Sequence, residues 1–182
     1  AVCLLTDKEE IGSMGNTGAE SRLFEDFLAA LCAIGNDKYN DIVLRKCLNN
    51  SMMLSADVNP AFDPNYESVY DKRNASYFGK GIVIEKYTGA RGKAGGSDAN
   101  PEFIAKVRKI FNENSIAWHV AELGKVDQGG GGTIAQYIAN LGAEVLDCGV
   151  SILSMHAPYE VTSKADVYTF YNGCKVFYEK MQ

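Results

Sequence analysis

One pattern constrains the fold of this chain more than any other. Apolar runs of strand length alternate with stretches whose apolar residues recur every three or four positions. Ile82-Val83-Ile84 is a run of the first kind, and Phe103, Ile104, Val107, Ile110 and Phe111 are a set of the second. Successive side chains point to opposite faces of a strand, whereas residues three or four apart share one face of a helix. Repeated alternation of the two periods predicts a layered α/β domain. At 182 residues the chain has the length of one domain and can bury a substantial core.

Strands are expected over residues 2–6, 51–56, 82–87, 117–123, 144–148 and 151–155. Thr17-Gly18-Ala19-Glu20 has the form of a capping box. Behind it, Phe24, Phe27, Leu28, Leu31 and Ile34 make one helical face that ends at Gly35. Asp37 is a candidate cap for a second helix reaching residue 48, with Val43, Leu44, Cys47 and Leu48 inward. Asn100-Pro101 opens a third helix with an N-cap and a first-turn proline. Ser163 caps a last helix carrying Val167, Phe170, Tyr171, Cys174 and Phe177. Between these lie a long irregular segment, 59–80, and a Gly-rich loop, 89–99. A glycine run, Gly129–Gly132, leads into another helix that Gly142 closes.

The candidate chemistry sits where strands are expected to end. The run Val2–Thr6 is followed by Asp7-Lys8-Glu9-Glu10, and on an extended backbone the two adjacent glutamates would point to opposite sides. One could hold a cation while the other reached its water. Asp57 follows a second apolar run, and His156 follows a third. In open α/β sheets ligands collect at the carboxyl ends of strands. Carboxylates and imidazole are ordinary zinc ligands. Adjacent glutamates also occur on solvated surfaces, and a histidine at a strand end also serves in capping or packing. The glycine run has no Lys-Ser/Thr after it, so it is not a phosphate-binding P-loop. Its exposed amides, with Gly131 at their centre, could instead grip a peptide. Arg91 and Lys93 could pair with an acidic substrate group if their loop faces the site. His119, inside a strand pattern, reads as structural.

Composition narrows the partners. A net charge of −5 with no basic cluster gives no reason to expect nucleic acid. Apolar runs no longer than a strand exclude a membrane-spanning helix. The five cysteines are odd in number and form no CxxC pair. They read as small core residues in a reducing compartment, with the cytoplasm as the expected location. A start at Ala1, inside a strand-like run, leads us to expect a piece of a longer protein.

Taken in order, Asp7-x-Glu9-Glu10-Ile11-Gly12-Ser13, Ser55-Ala56-Asp57-Val58, Pro64-Asn65-Tyr66, Gly130-Gly131-Gly132-Thr133-Ile134 and Ser154-Met155-His156 resemble a known set of motifs. The chain is similar, from end to end, to the catalytic domain of the aspartyl aminopeptidase and aminopeptidase I family of metallopeptidases. The resemblance implies a three-layer α/β/α sandwich on a mixed, mostly parallel sheet. It implies two divalent metal ions, zinc by expectation, with cobalt or manganese as alternatives. Glu9 would be the general base, Glu10, Asp57 and His156 metal ligands, and Lys93 and Gly131 substrate-binding residues. Family members remove acidic or neutral residues from peptide N-termini and assemble into homo-oligomers, often dodecamers.

The family supplies a further histidine ligand and a bridging aspartate from a region upstream of these motifs, around an inserted dimerisation domain. Residues 1–182 therefore correspond to the C-terminal portion of such a catalytic domain. A catalytically incomplete scaffold of the same enzyme is the alternative expectation. Aspartyl-specific members carry histidines where Pro60 and Asp63 stand here, so a strict aspartyl preference is not implied.

Overall fold

The computed structural model describes residues 1–181. Along the chain run α1 (Leu23–Gly35), α2 (Asp41–Asn49), β1 (Met52–Pro60), β2 (Ile82–Glu85), β3 (Tyr87–Ala90), β4 (Ala94–Asp98), α3 (Pro101–Glu113), β5 (Trp118–Val120), α4 (Ala135–Ala139), β6 (Glu144–Leu153), β7 (Val161–Thr162) and α5 (Lys164–Lys180). The main sheet has the order β1-β6-β2-β5, with β7 on the end of β6. β1 runs parallel to β6, and β2 runs parallel to β5. β6 meets β2 and β7 antiparallel. β3 and β4 form a separate hairpin.

The two-residue period of the strands divides the core between two faces. Met52 and Leu54 of β1, Ile84 of β2, and Leu146 and Cys148 of β6 pack with Phe103, Val107 and Phe111 of α3 and Phe177 of α5. Met53 and Val145, one position out of step, pack on the other face with α4 (Ala135, Ile138) and with Phe24 of α1. Helices on both sides of a mixed sheet make three layers, as expected. Toward the carboxyl end of β1 the second face turns polar. Ser55, Asp57 and Asn59 lie beside Asp147, Gly149 and Ser151 of β6, with Glu85 paired to Asp147 from β2. That polar half-face underlies the candidate site.

Several local expectations are corrected. Residues 2–6 are not a strand. No backbone among the described residues pairs with them, and Leu5 is 90% exposed. The expected strands at 144–148 and 151–155 are one, β6. Gly149 does not break it, because a Cβ there would lie 1.4 Å from the Asp57 carbonyl oxygen. The glycine lets two backbones approach, a need that looks like a turn when read along one strand. The strand expected to end at residue 56 runs on to Pro60, so Asp57 lies inside β1. The run 82–87 breaks at Lys86, and the presumed loop 89–99 is the hairpin β3–β4, bulged between Thr88 and Ala90. The run 117–123 gives only Trp118–Val120.

The caps also differ. Thr17 donates its hydroxyl to Asp7 Oδ2 at 2.7 Å rather than forming a capping box. Asn40, not Asp37, caps α2 by accepting from Ile42 N–H at 3.0 Å. Ser163 caps α5 as expected, accepting from Asp166 N–H. On α1 only Leu28 is buried, while Phe27, Leu31 and Ile34 are exposed, as are Val167 and Tyr171 on α5. Of the five cysteines, all free, only Cys148 is buried. Among the described residues no helix is long and apolar enough to cross a membrane.

Candidate active site

Three backbone devices bring the predicted residues together. Glu9 and Glu10 sit on a single 3-10 turn, Glu9–Ile11, rather than on extended backbone. Lys8 enters the turn at φ 62° and Gly12 leaves it at φ 93°. Asp57 is held by β1, and its Oδ1 accepts from Val58 N–H at 2.7 Å. His156 follows β6 at φ 68°, two residues after Ser154 at φ 60°. Its N–H donates to Glu160 Oε1 at 2.6 Å. Left-handed backbone at a residue other than glycine costs on the order of 1 kcal/mol or more and collects at functional sites. Here it flanks both the acid pair and the imidazole.

These side chains line one cavity of about 510 Å³. His156 Nε2 lies 3.0 Å from Glu10 Oε2, with both side chains mostly exposed. Glu9 and Asp57 share the cavity with them. Burial raises the Glu9 carboxyl above its ordinary range, and the charges of Asp57 and Glu10 raise it further, against a downward pull from His156. Burial also raises Asp57, the Val58 N–H lowers it, and Glu10 raises it again. The site gathers negative charge that protons or cations relieve.

The opposite wall is the strip Gly129–Thr133. It lies backbone to backbone on the β3–β4 hairpin. A Cβ on Gly130 would stand 2.5 Å from the Gly89 carbonyl oxygen, and one on Gly132 2.8 Å from that of Gly95. Arg91 N–H donates to the Gly129 carbonyl at 2.7 Å. Gly131 alone in the middle of the strip has open space where a side chain would be. Lys93 sits in the exposed hairpin turn and does not line the cavity; Lys125 does. A broader depression of about 730 Å³ over Asn40–Lys46 contains none of the predicted residues.

Beneath the strip, Thr133 and Thr88 donate to the two oxygens of buried Asp147, at 2.7 and 3.1 Å. Burial pushes the Asp147 carboxyl up, and these hydroxyls pull it part of the way back. The Thr133 hydroxyl also accepts from Ala135 N–H, so Asp147 ties the strip to the start of α4. Sequence reasoning missed Asp147, Glu160 and Lys125. A carboxylate in the middle of the apolar run 144–150 was the available signal for the first. His119 is structural, as expected: its Nε2 accepts from Tyr77 N–H at 3.4 Å.

The donor chemistry can be tested against a divalent metal. Two carboxylates and an imidazole lining one cavity are the kind of donors zinc takes. The set is open, however. Among the described residues no three His, Cys, Asp or Glu side chains close around one point. The residues fit the metal in kind, as a partial set of donors.

The chain is similar to known proteins over nearly its whole length. The chain is 56% identical, over 97% of its length, to a probable M18 family aminopeptidase 1 of Clostridium acetobutylicum, of which it covers 38%. It is 47% identical to the corresponding Thermotoga maritima protein, covering 96% of this chain and 39% of that one. The crystal structure of the Thermotoga aminopeptidase superposes with a TM-score of 0.90 over 94% of this chain and 38% of its own. The mApe1 dodecamer of S. cerevisiae, at 26% identity, matches with a TM-score of 0.76 over 96% of this chain and 37% of its own. The chain thus spans about two fifths of the length of its curated relatives. A sequence profile of one family matches residues 1–178, nearly the whole chain, and by that match the protein belongs to the aminopeptidase I zinc metalloproteases, M18.

Proposed function

We propose that this chain carries the water-activating half of a metal-dependent aminopeptidase that removes acidic or neutral N-terminal residues from peptides. The observation that carries the reading is the meeting of Glu9, Glu10, Asp57 and His156 in one cavity faced by an open glycine strip. Glu10, Asp57 and His156 would hold divalent metal, with the remaining ligands supplied by other parts of the enzyme. A bound pair of such ions, zinc by family, acidifies water and polarises a carbonyl. Glu9 takes the proton of the attacking water and returns it to the leaving amine. Its raised pKa favours this exchange, because a group nearer neutrality works as both base and acid. The amides around Gly131 face an extended substrate backbone. Lys93 pairs with an acidic first side chain only if the hairpin turn reaches the cavity, and Lys125 already lines it. The relative described as a dodecamer supports assembly of the intact protein into a homo-oligomer.

A second reading, a scaffold that neither binds two metals nor turns over substrate, is favoured for the chain by itself by the open donor set. Metal content and hydrolysis of aspartyl and leucyl chromogenic amides separate the two, measured on the intact protein and on this chain alone. Turnover by the chain alone removes the scaffold reading. An intact protein inert with zinc, cobalt and manganese removes the peptidase reading, and preference for N-acylated substrates redirects it to a deacylase.

A further inference from the structure

Two residues beyond Asp57 on β1, Asn59 pairs with Glu85 of β2, and the mechanism above uses neither side chain. Asn59, fully buried, donates its Nδ2 to Glu85 Oε1 at 2.9 Å. Glu85 is 4% exposed. The other atom of each group, Glu85 Oε2 and Asn59 Oδ1, is buried without a hydrogen-bond partner. Both are acceptors when Glu85 is ionised, and orphaned buried acceptors cost on the order of 1–3 kcal/mol each. A proton on Oε2 would turn that oxygen into a donor, because a carboxylic acid donates where a carboxylate cannot.

We propose that Glu85 is a neutral carboxylic acid at neutral pH, and that it closes a two-bond acid–amide ring with Asn59 that fixes β1 behind Asp57. Asn59 Nδ2 donates to Oε1, and Glu85 Oε2–H donates to Oδ1. Asn59 and Asp57 lie two residues apart on one face of β1, so the ring anchors the strand that presents Asp57. Glu85 is therefore a positioning residue. Only its bearing on catalysis rests on the aminopeptidase reading; the proton does not.

The surroundings agree. The charged groups facing Glu85 are Asp147 from β6, Asp57 from β1 and Glu122 after β5, all acids that oppose its ionisation. Lys86, next along the chain, pairs with Asp98 instead. Burial, against a lowering contribution from Asn59, carries the Glu85 pKa to about 8.

Infrared spectroscopy of the intact protein tests the proton directly. A protonated-carboxyl C=O band present at pH 7 should vanish in Glu85→Gln and shift in Asn59→Ala. A glutamine amide can make the same two bonds, so Glu85→Gln should fold and equal or exceed wild-type stability at pH 8. Wild-type stability should then decline relative to it between pH 7 and 8. A difference spectrum without the acid band overturns the proposal. So does a Glu85→Gln protein that fails to fold or tracks wild type across this pH range. Neither readout requires activity, so a failed peptidase assay leaves the test intact.

Discussion

Glu9 and Glu10 are neighbours in sequence with different surroundings. Glu10 stands exposed against the His156 imidazole, whereas Glu9 is partly buried and feels the charges of Asp57 and Glu10. That difference fits the proposed division into metal ligand and general base, and the proposal predicts two phenotypes. Glu9→Gln keeps the shape and removes the proton acceptor. Turnover of the intact enzyme should fall on the order of 10²-fold or more while metal content by elemental analysis stays at wild type. Near-full activity in this variant removes Glu9 from the base role. Glu10→Ala and His156→Ala, by contrast, should lose metal at equilibrium dialysis before any effect on folding, since both side chains are mostly exposed. At this scale the sequence was informative. Glu9, Glu10, Asp57 and His156 are spread over more than a hundred positions, yet their place at expected strand ends and the order of their motifs group them, and the fold lines one cavity with all four. Lys93, expected to bind substrate, lies outside the cavity lining, in the exposed turn of a hairpin that glycine content disguised as a loop.

The strands show where one-dimensional reading stops. Gly149 looked like punctuation between two short strands, yet it is the contact point between β6 and β1. A period-two pattern reports which face a side chain takes, but it does not report a neighbouring backbone that leaves no room for a Cβ. Val2–Thr6 failed in the opposite way, since an apolar run becomes a strand only when another strand takes its hydrogen bonds. The helices were more legible because their bonds are internal. α5 appeared where its Ser163 cap put it and α3 where its first-turn proline and period put it, although the Asn100 side chain makes no cap bond and tertiary packing decided which apolar residues were covered. The crowding at Gly149 gives a direct expectation. Gly149→Ala places a methyl group into the Asp57 carbonyl and must part the strands or twist β1. Overpacking of this kind costs about 1–3 kcal/mol. Urea unfolding should show that loss, and metal affinity should fall with it because Asp57 moves. Wild-type metal affinity in a destabilised Gly149→Ala protein would dissociate β1 placement from the site.

Across the whole molecule, buried acid groups set an unusual dependence on pH. Glu85 and Asp147 both have folded-state pKa values raised above their ordinary ones, by burial first. At pH below those ordinary values, both groups are protonated in the folded and unfolded chain, and their full contribution to stability is present. As pH rises, the unfolded chain releases protons that the folded chain keeps, so stability falls until the folded pKa is passed. For Glu85 that window runs from 4.5 to about 8. Burial lowers the His119 pKa, and its contribution has the opposite sign, with stability rising as pH climbs toward 6.5. The two oppose each other below pH 6.5, whereas between pH 7 and 8 ordinary carboxylates are already ionised in both states and the Glu85 effect stands clear. A folded pKa of about 8 predicts a loss of about 1 kcal/mol of unfolding free energy over that single pH unit. Chemical denaturation of the metal-free intact protein at pH 7.0, 7.5 and 8.0 measures it without interference from metal ligation. A flat or rising stability over this range would mean that Glu85 is already ionised in the folded protein at pH 7 and that no proton is held between it and Asn59.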